Sequence, residues 1–397
     1  MTEQEQQPKG KATRLEELRR RKQSRARRRV AALVLVLAAA IVYFTDAYSG
    51  ALAAASDIAD SIGIFLDRSG SFPLHTGITE PLQVKALAGG FAELGSEDLL
   101  LCSGTGSVIR RIQHGYARPA ISCGSRRLCI YNRAGTELRV ESRTRTLYTK
   151  KFDNNILLCS MSPNGSVAVV TGSNRYTAEL SVYGPGFGEP YQWFTSKTEG
   201  TPVRVAFAGD NQRLAVGCIS AVEGRLSSGI YLLDTHKDTV TASYLAEPGS
   251  ALLDLQWLSA SQVLCIYDSF ACILSAASGQ ELCRFDYGGA TVESVSVYGR
   301  NTALLLSTRA GSRLVLLNDK MEAAFDQDIA AAHKVTCTHN SVYVLRESTV
   351  ERFDLTGASA WVQSFGSQPR AVLNADQLLV FVDSSAKVLE APAAAAA

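Results

Sequence analysis

From about residue 65 onward the chain repeats itself. Short runs rich in Val, Leu, Ile and Tyr recur between Gly, Asn, Asp and Ser turns, and helix signals nearly vanish. Branched and aromatic side chains bounded by turn formers read as strands. A longer period lies on top. First strands are predicted near Ala86, Pro119, Ile156, Pro202, Ala251, Thr291, His333 and Arg370, spaced 33, 37, 46, 49, 40, 42 and 37 residues apart. A period of about 40 residues made of strands alone is that of four-stranded propeller blades. The expected fold is all-β, a propeller of about eight four-stranded blades with seven as the alternative, preceded by a single transmembrane α-helix.

One unit shows the internal order. At 251–287 an Ala-Leu-Leu-Asp-Leu-Gln-Trp-Leu strand and a Ser-Ala-Ser turn lead to Gln-Val-Leu-Cys-Ile-Tyr-Asp, then Ala-Cys-Ile-Leu-Ser, then Glu-Leu-Cys-Arg-Phe-Asp-Tyr. The same order recurs at 156–198 and 333–365, and Asn164-Gly165 signals a tight hairpin. Second strands are the most apolar, as expected of strands covered on both faces by neighbouring blades. The last stretch, 370–390, has room for three strands only. An open edge invites aggregation, so a strand near Ser71-Phe72-Pro73-Leu74 is expected to complete the last blade.

The amino terminus is of another kind. Residues 1–29 hold eleven Lys/Arg and four Asp/Glu, a net of +7, which leaves −5 on the remainder of a chain of net +2. The basic run stops at Val30, and no charge follows until after Thr45. Sixteen such residues span about 24 Å as a helix. Snorkelling arginines and the interfacial Tyr43, Phe44 and Tyr48 extend that reach toward the roughly 30 Å of a bilayer core. The positive-inside rule keeps the arginines in the cytoplasm. The expected organisation is a basic cytoplasmic tail at 1–29, a membrane helix at 30–48, a juxtamembrane helix or linker at 49–68, an extracytoplasmic propeller at 69–391 and an Ala-rich tail at 392–397. A cleaved signal peptide is the competing reading, with Ala53-Ala54-Ala55 as its cleavage site; the long charged lead favours a retained, single-pass anchor. A mildly acidic body argues against a nucleic-acid partner.

Nine cysteines form no CxxC pair and sit mostly in apolar strand-like runs, so they read as buried small hydrophobes. Five histidines, His75, His114, His236, His333 and His339, form no metal spacing, and HExxH, Walker and GxSxG motifs are missing. No catalytic, cofactor-binding or metal residue is assigned, and no cofactor is expected. Gly184-Pro185-Gly186-Phe187-Gly188 lacks the following helix that a phosphate cradle needs, and reads as a hairpin loop. Trp193, Trp257 and Trp361 read as packing between blades. The most function-like feature is the excursion from Ile219 to Gly229 between the second and third strands of the fourth unit. Long loops on rigid scaffolds carry binding, which makes Glu223, Arg225 and Ser227 the candidate partner-binding residues, against a solvated hairpin extension.

Three strings carry a resemblance: Gln113-His114-Gly115-Tyr116-Ala117-Arg118-Pro119, Leu128-Cys129-Ile130-Tyr131-Asn132-Arg133-Ala134-Gly135 and Ser160-Met161-Ser162-Pro163-Asn164-Gly165. With the Phe72-Pro73 pair, the chain over about 15–390 resembles a family of uncharacterised membrane-anchored propellers of anaerobic, clostridia-like Gram-positive bacteria. That resemblance implies a membrane helix and a propeller-like body, brings no activity or site residues, and suits many free thiols. The function expected is a non-enzymatic binding or scaffold module in the cell envelope, with a protein or envelope partner at the propeller loops. The alternatives are a quinone-dependent-dehydrogenase-like enzyme, or a structural protein of envelope or spore assembly.

Overall fold

The computed structural model describes residues 70–222 and 224–390. The predicted tail, membrane helix and juxtamembrane segment, and the residues from 392 onward, lie outside the described residues. Among the described residues there are 32 strands in eight sheets of four. No helix there is long and apolar enough to cross a membrane.

Seven blades are consecutive stretches of chain, at 83–113, 119–151, 156–195, 201–245, 252–286, 291–329 and 334–364. In each, the four strands pair antiparallel in sequence order. The eighth is composite. Ala371–Asn374, Leu378–Val382 and Ser385–Val388 supply three strands, and Leu74–His75 supplies the fourth, in the register Leu74↔Ala386 and His75↔Ser385. The predicted closure is thus present, two to three residues later than expected and only two residues long. Pro73 has no N–H to give to a ladder, so pairing starts after it.

Each of the eight junctions between neighbouring blades has its own apolar cluster. Blades 5 and 6, for example, meet through Leu264, Ile266, Ile273, Leu304 and Leu306, all at most 1% exposed. The ring closes where Phe91, Leu100 and Cys102 of blade 1 meet Leu379, Phe381 and Ala386 of blade 8, with the Phe91 and Phe381 rings edge to face at 5.4 Å. Burying one such side chain contributes about 1.5–3 kcal/mol, so a repeat too thin to fold alone is stabilised by its two neighbours. Second strands are the driest. Gly90–Leu94 and Ser341–Leu345 are buried at every residue.

First strands line the centre, where each sheet ends in a free edge. Backbone groups there need partners, and side chains of the preceding blade supply them. Gln83 Oε1 accepts the Ile121 N–H at 2.7 Å, and the Ser122 hydroxyl accepts that of Met161 at 2.9 Å. Ser294 and Ser296 do the same for Val335 and Cys337, at 3.2 and 2.9 Å. Each bond is worth about 1 kcal/mol net. The double variant Ser294→Ala/Ser296→Ala is expected to cost about 2 kcal/mol, read as a lower urea midpoint with an unchanged slope.

The turns fall on two faces. Antiparallel order places the first-to-second and third-to-fourth turns on one face, here the lower, and the second-to-third turns with the blade-to-blade connections on the upper. The chain reaches its closing strand from below, since Gly70 packs its backbone against the Gly106-Ser107 turn of blade 1. The hairpin at Asn164-Gly165 is a wider turn than the predicted one. Only Gly165 has positive φ, at 92°, and Gly165 N–H bonds the Ser162 carbonyl at 3.0 Å. The Ser162 hydroxyl reaches Asn164 Oδ1 and accepts the Ser166 N–H, which holds a five-residue connection instead of a two-residue one.

Candidate functional site

The excursion in blade 4 is regular structure. Arg213–Val222 and Arg225–Asp234 pair without a break from Arg213↔Asp234 to Val222↔Arg225. Of the two sequence readings, a binding loop and a hairpin extension, the strands form the second. Pairing to the first strand stops at Thr201↔Ile219 and to the fourth at Gly229↔Leu245. Residues 220–222 and 225–228 therefore run on above the sheet as a two-stranded ribbon on the upper face. Its base is tied down. The Ser228 hydroxyl donates to the Ser250 carbonyl at 2.7 Å, and the Gly249 N–H donates to the Leu226 carbonyl at 2.8 Å. Arg225 is exposed at the tip and Ser227 is half-buried, while Glu223 lies outside the described residues.

The channel has a charged wall. First strands of blades 1 to 4 bound a cavity of about 730 Å³, with Lys85, Ser122, Ser160 and Arg204 on its wall and Arg133, from a second-to-third turn, at its upper rim. Lys334 stands on the first strand of blade 7. Its ammonium is held below the ordinary lysine range by desolvation and then by the charge of Lys85. Arg204 lies 3.9 Å from Asp254 of blade 5, and Glu293 is exposed on blade 6. The lower mouth differs: Ala86, Leu87, Ala88, Ala375, Asn374 and Tyr298 bound a cavity of about 390 Å³. The sequence reading missed these cations. The signal for them was one Lys or Arg inside an otherwise uncharged first strand, as in Val-Lys-Ala and Val-Arg-Val.

A second upper cavity, of about 590 Å³, lies at the seam of blades 8 and 1, lined among others by Glu80, Glu97, Asp98, Arg370 and Asp383. Arg370 pairs with Glu80 at 3.1 Å and Arg111 with Asp98 at 2.6 Å. In the same seam Glu93 is fully buried. Its Oε1 accepts the Thr76 hydroxyl at 3.3 Å, and its Oε2 makes no hydrogen bond. Burial pushes the carboxyl up to about 7, against the smaller downward pulls of Thr76 and Arg111.

The other residues singled out in the sequence are structural. His114 Nδ1 accepts the Tyr116 N–H at 3.0 Å, so the proton sits on Nε2, which faces the Gly95 carbonyl at 3.3 Å. Burial lowers its pKa and that of His333. His333 and His339 flank the strand Lys334–Cys337 at opposite ends. Trp193 is buried between blades 3 and 4, and Trp257 Nε1 donates to the Ala206 carbonyl at 3.1 Å. In the glycine-rich turn Phe187 stacks on Tyr148 of blade 2 at 4.4 Å. All nine thiols are free, seven of them buried. Burial raises Cys102 and Cys123 to about 12, so neither ionises near neutrality. Among the described residues no group of three or more His, Cys, Asp or Glu is placed to hold a metal ion.

The limits of the ring coincide with one family model, described as a family of unknown function, DUF5711, which matches residues 75–389. The chain belongs to this family. The match begins in the closing strand and ends just past the last strand of blade 8, so the DUF5711 unit is the whole ring. Comparison with curated proteins finds no match. Among solved structures, the chain is similar to BamB from Moraxella catarrhalis at 12% identity and a TM-score of 0.55, over 81% of this chain and 98% of that one. It is similar to the computationally designed Ika8 protein at 11% and 0.58, over 80% and 98%. A eukaryotic initiation factor matches at 11% and 0.54, over 77% and 82%. At such identities these likenesses establish the fold and nothing about activity.

Proposed function

We propose that this DUF5711 chain is a membrane-anchored, non-enzymatic binding module of the cell envelope. Residues 30–48 hold it in the membrane, residues 1–29 stay in the cytoplasm, and the propeller docks a partner protein on its upper face. The observation that carries the docking face is the blade 4 ribbon, which stands above its sheet on the face opposite to where the chain enters. Among the described residues its strand at 220–222 pairs with no strand on the first-strand side, which leaves backbone donors and acceptors for a partner strand to pair with. A ring closed by eight apolar junctions presents that edge rigidly, which lowers the ordering cost of binding. The arginine-flanked apolar span supports the anchor.

The test uses the full-length chain in intact cells, with a photo-reactive side chain at Ser227 or, for comparison, at Arg126 on the lower face, and protease added from outside. The expected result is a partner captured from Ser227 and not from Arg126, with the propeller digested and the basic tail spared. Capture from Arg126 alone would move the interface to the other face. Full protection of the propeller would end the proposed topology.

A further inference from the structure

We propose that the upper channel is a binding site for a small oxyanion, a molecule carrying phosphate or carboxylate groups, held by Lys85 and Arg133 on the cavity wall. The proposal is independent of the anchor and of the blade 4 ribbon. Three features of the channel carry it. The first is a deficit of counter-charge. Among the described residues Lys85 makes no hydrogen bond or ion pair and Arg133 no ion pair, and the Lys334 ammonium donates to the Arg370 carbonyl at 3.4 Å. The channel's carboxylates, Asp254 and Glu293, stand on blades 5 and 6, outside the arc of blades 7, 8, 1 and 2, and Asp254 is already drawn to Arg204. Lys334, on the first strand of blade 7, adds positive charge to the same channel, so an anion beside Lys85 and Arg133 gains attraction that the wall's own carboxylates do not supply.

The second feature is neutral donors on the same wall. The Ser122 hydroxyl accepts the Met161 N–H and so keeps its own proton to donate, and Ser160 lines the cavity beside it. Hydroxyls with ammonium and guanidinium groups make the donor set that oxyanions take up. The third is size. The cavity's 730 Å³ falls within the roughly 300–1,000 Å³ of small-molecule sites.

The experiment titrates the full-length chain with pyrophosphate and, separately, with citrate, by calorimetry at low salt. At least one is expected to bind, with an affinity that falls as salt rises. Lys85→Gln and Arg133→Gln are each expected to weaken it about tenfold or more, the loss of one charge-assisted contact. Arg126→Gln, on the lower face, is expected to leave it unchanged. Without ligand, Lys85→Gln should melt no lower than the parent chain, because among the described residues Lys85 has no hydrogen bond or ion pair to lose, so lost binding cannot be put down to lost folding. Binding of pyrophosphate alone assigns phosphate, and of citrate alone, carboxylate. If neither binds at millimolar concentration, if Lys85→Gln and Arg133→Gln bind as the parent does, or if Arg126→Gln weakens binding equally, the proposal falls.

Discussion

Glu93→Gln is expected to stabilise the propeller by about 3 kcal/mol at pH 8 and to change little at pH 4. The carboxyl is fully buried in the closing seam, with one oxygen bonded to Thr76 and the other bonded to nothing. In the folded ring its pKa is raised from 4.5 to about 7. A folded state that binds its proton more tightly than the unfolded chain is most stable where both are protonated. That stability is present in full below pH 4.5, declines as pH rises toward about 7, and stays lost above it. A shift of this size is worth about 3 kcal/mol at 1.36 kcal/mol per unit. Gln keeps an acceptor for Thr76 and never ionises, so the variant should lack this slope. Urea midpoints from pH 4 to pH 8 measure it. Parallel curves for parent and variant would show that the buried carboxyl is compensated by something other than its proton.

The seam residue also shows where sequence reading reached and where it stopped. Blade boundaries were legible because seven of the eight first strands follow a turn holding Gly, Asn, Ser or Pro, that of blade 7 following Ala330-Ala331-Ala332-His333 instead. Predicted starts at Pro119, Ile156 and Thr291 coincide with the observed ones, and that at Ala251 precedes Leu252 by one residue. The composite blade was legible from a shortage of chain at the end. The blade 4 excursion was legible as either a binding loop or a hairpin extension, because Ser, Gly and Glu are common in loops and nothing local shows that Val222 lies opposite Arg225. Glu93 was not legible at all. In Gly-Phe-Ala-Glu-Leu it looks like the polar member of a half-exposed strand, and only the neighbouring blade reveals that both faces are covered. Lys85, Arg133 and Lys334 escaped for a related reason. They lie on separate blades, far apart in sequence, and only the ring brings Lys85 and Arg133 to one cavity wall.

Ring closure itself should be the most costly feature to disturb. Phe72→Ala/Leu74→Ala in the full-length chain is expected to lower stability by about 4 kcal/mol, each half-buried side chain contributing roughly half the cost of a fully buried one. Both pack on the cluster of Phe91, Leu100, Phe381 and Ala386 that joins blade 1 to blade 8. The strand they flank has only two residues, so its backbone pairing contributes little alone. The Thr76 and Gly77 N–H groups, which both bond the Ser384 carbonyl at 2.9 and 3.2 Å, depend on the side chains to stay in place. Loosening this contact leaves blade 8 with three strands and a bare edge along Ser385–Val388. The damage should therefore be local before it is global. Amide exchange is expected to accelerate first in blades 8 and 1, then in the rest of the ring, because strands in a small cooperative unit open ahead of the whole. Uniform acceleration in all eight blades would mean that the ring opens as one body and that the seam is no weaker than any other junction. Unchanged exchange at 371–388 would mean that the N-terminal strand is not what closes it.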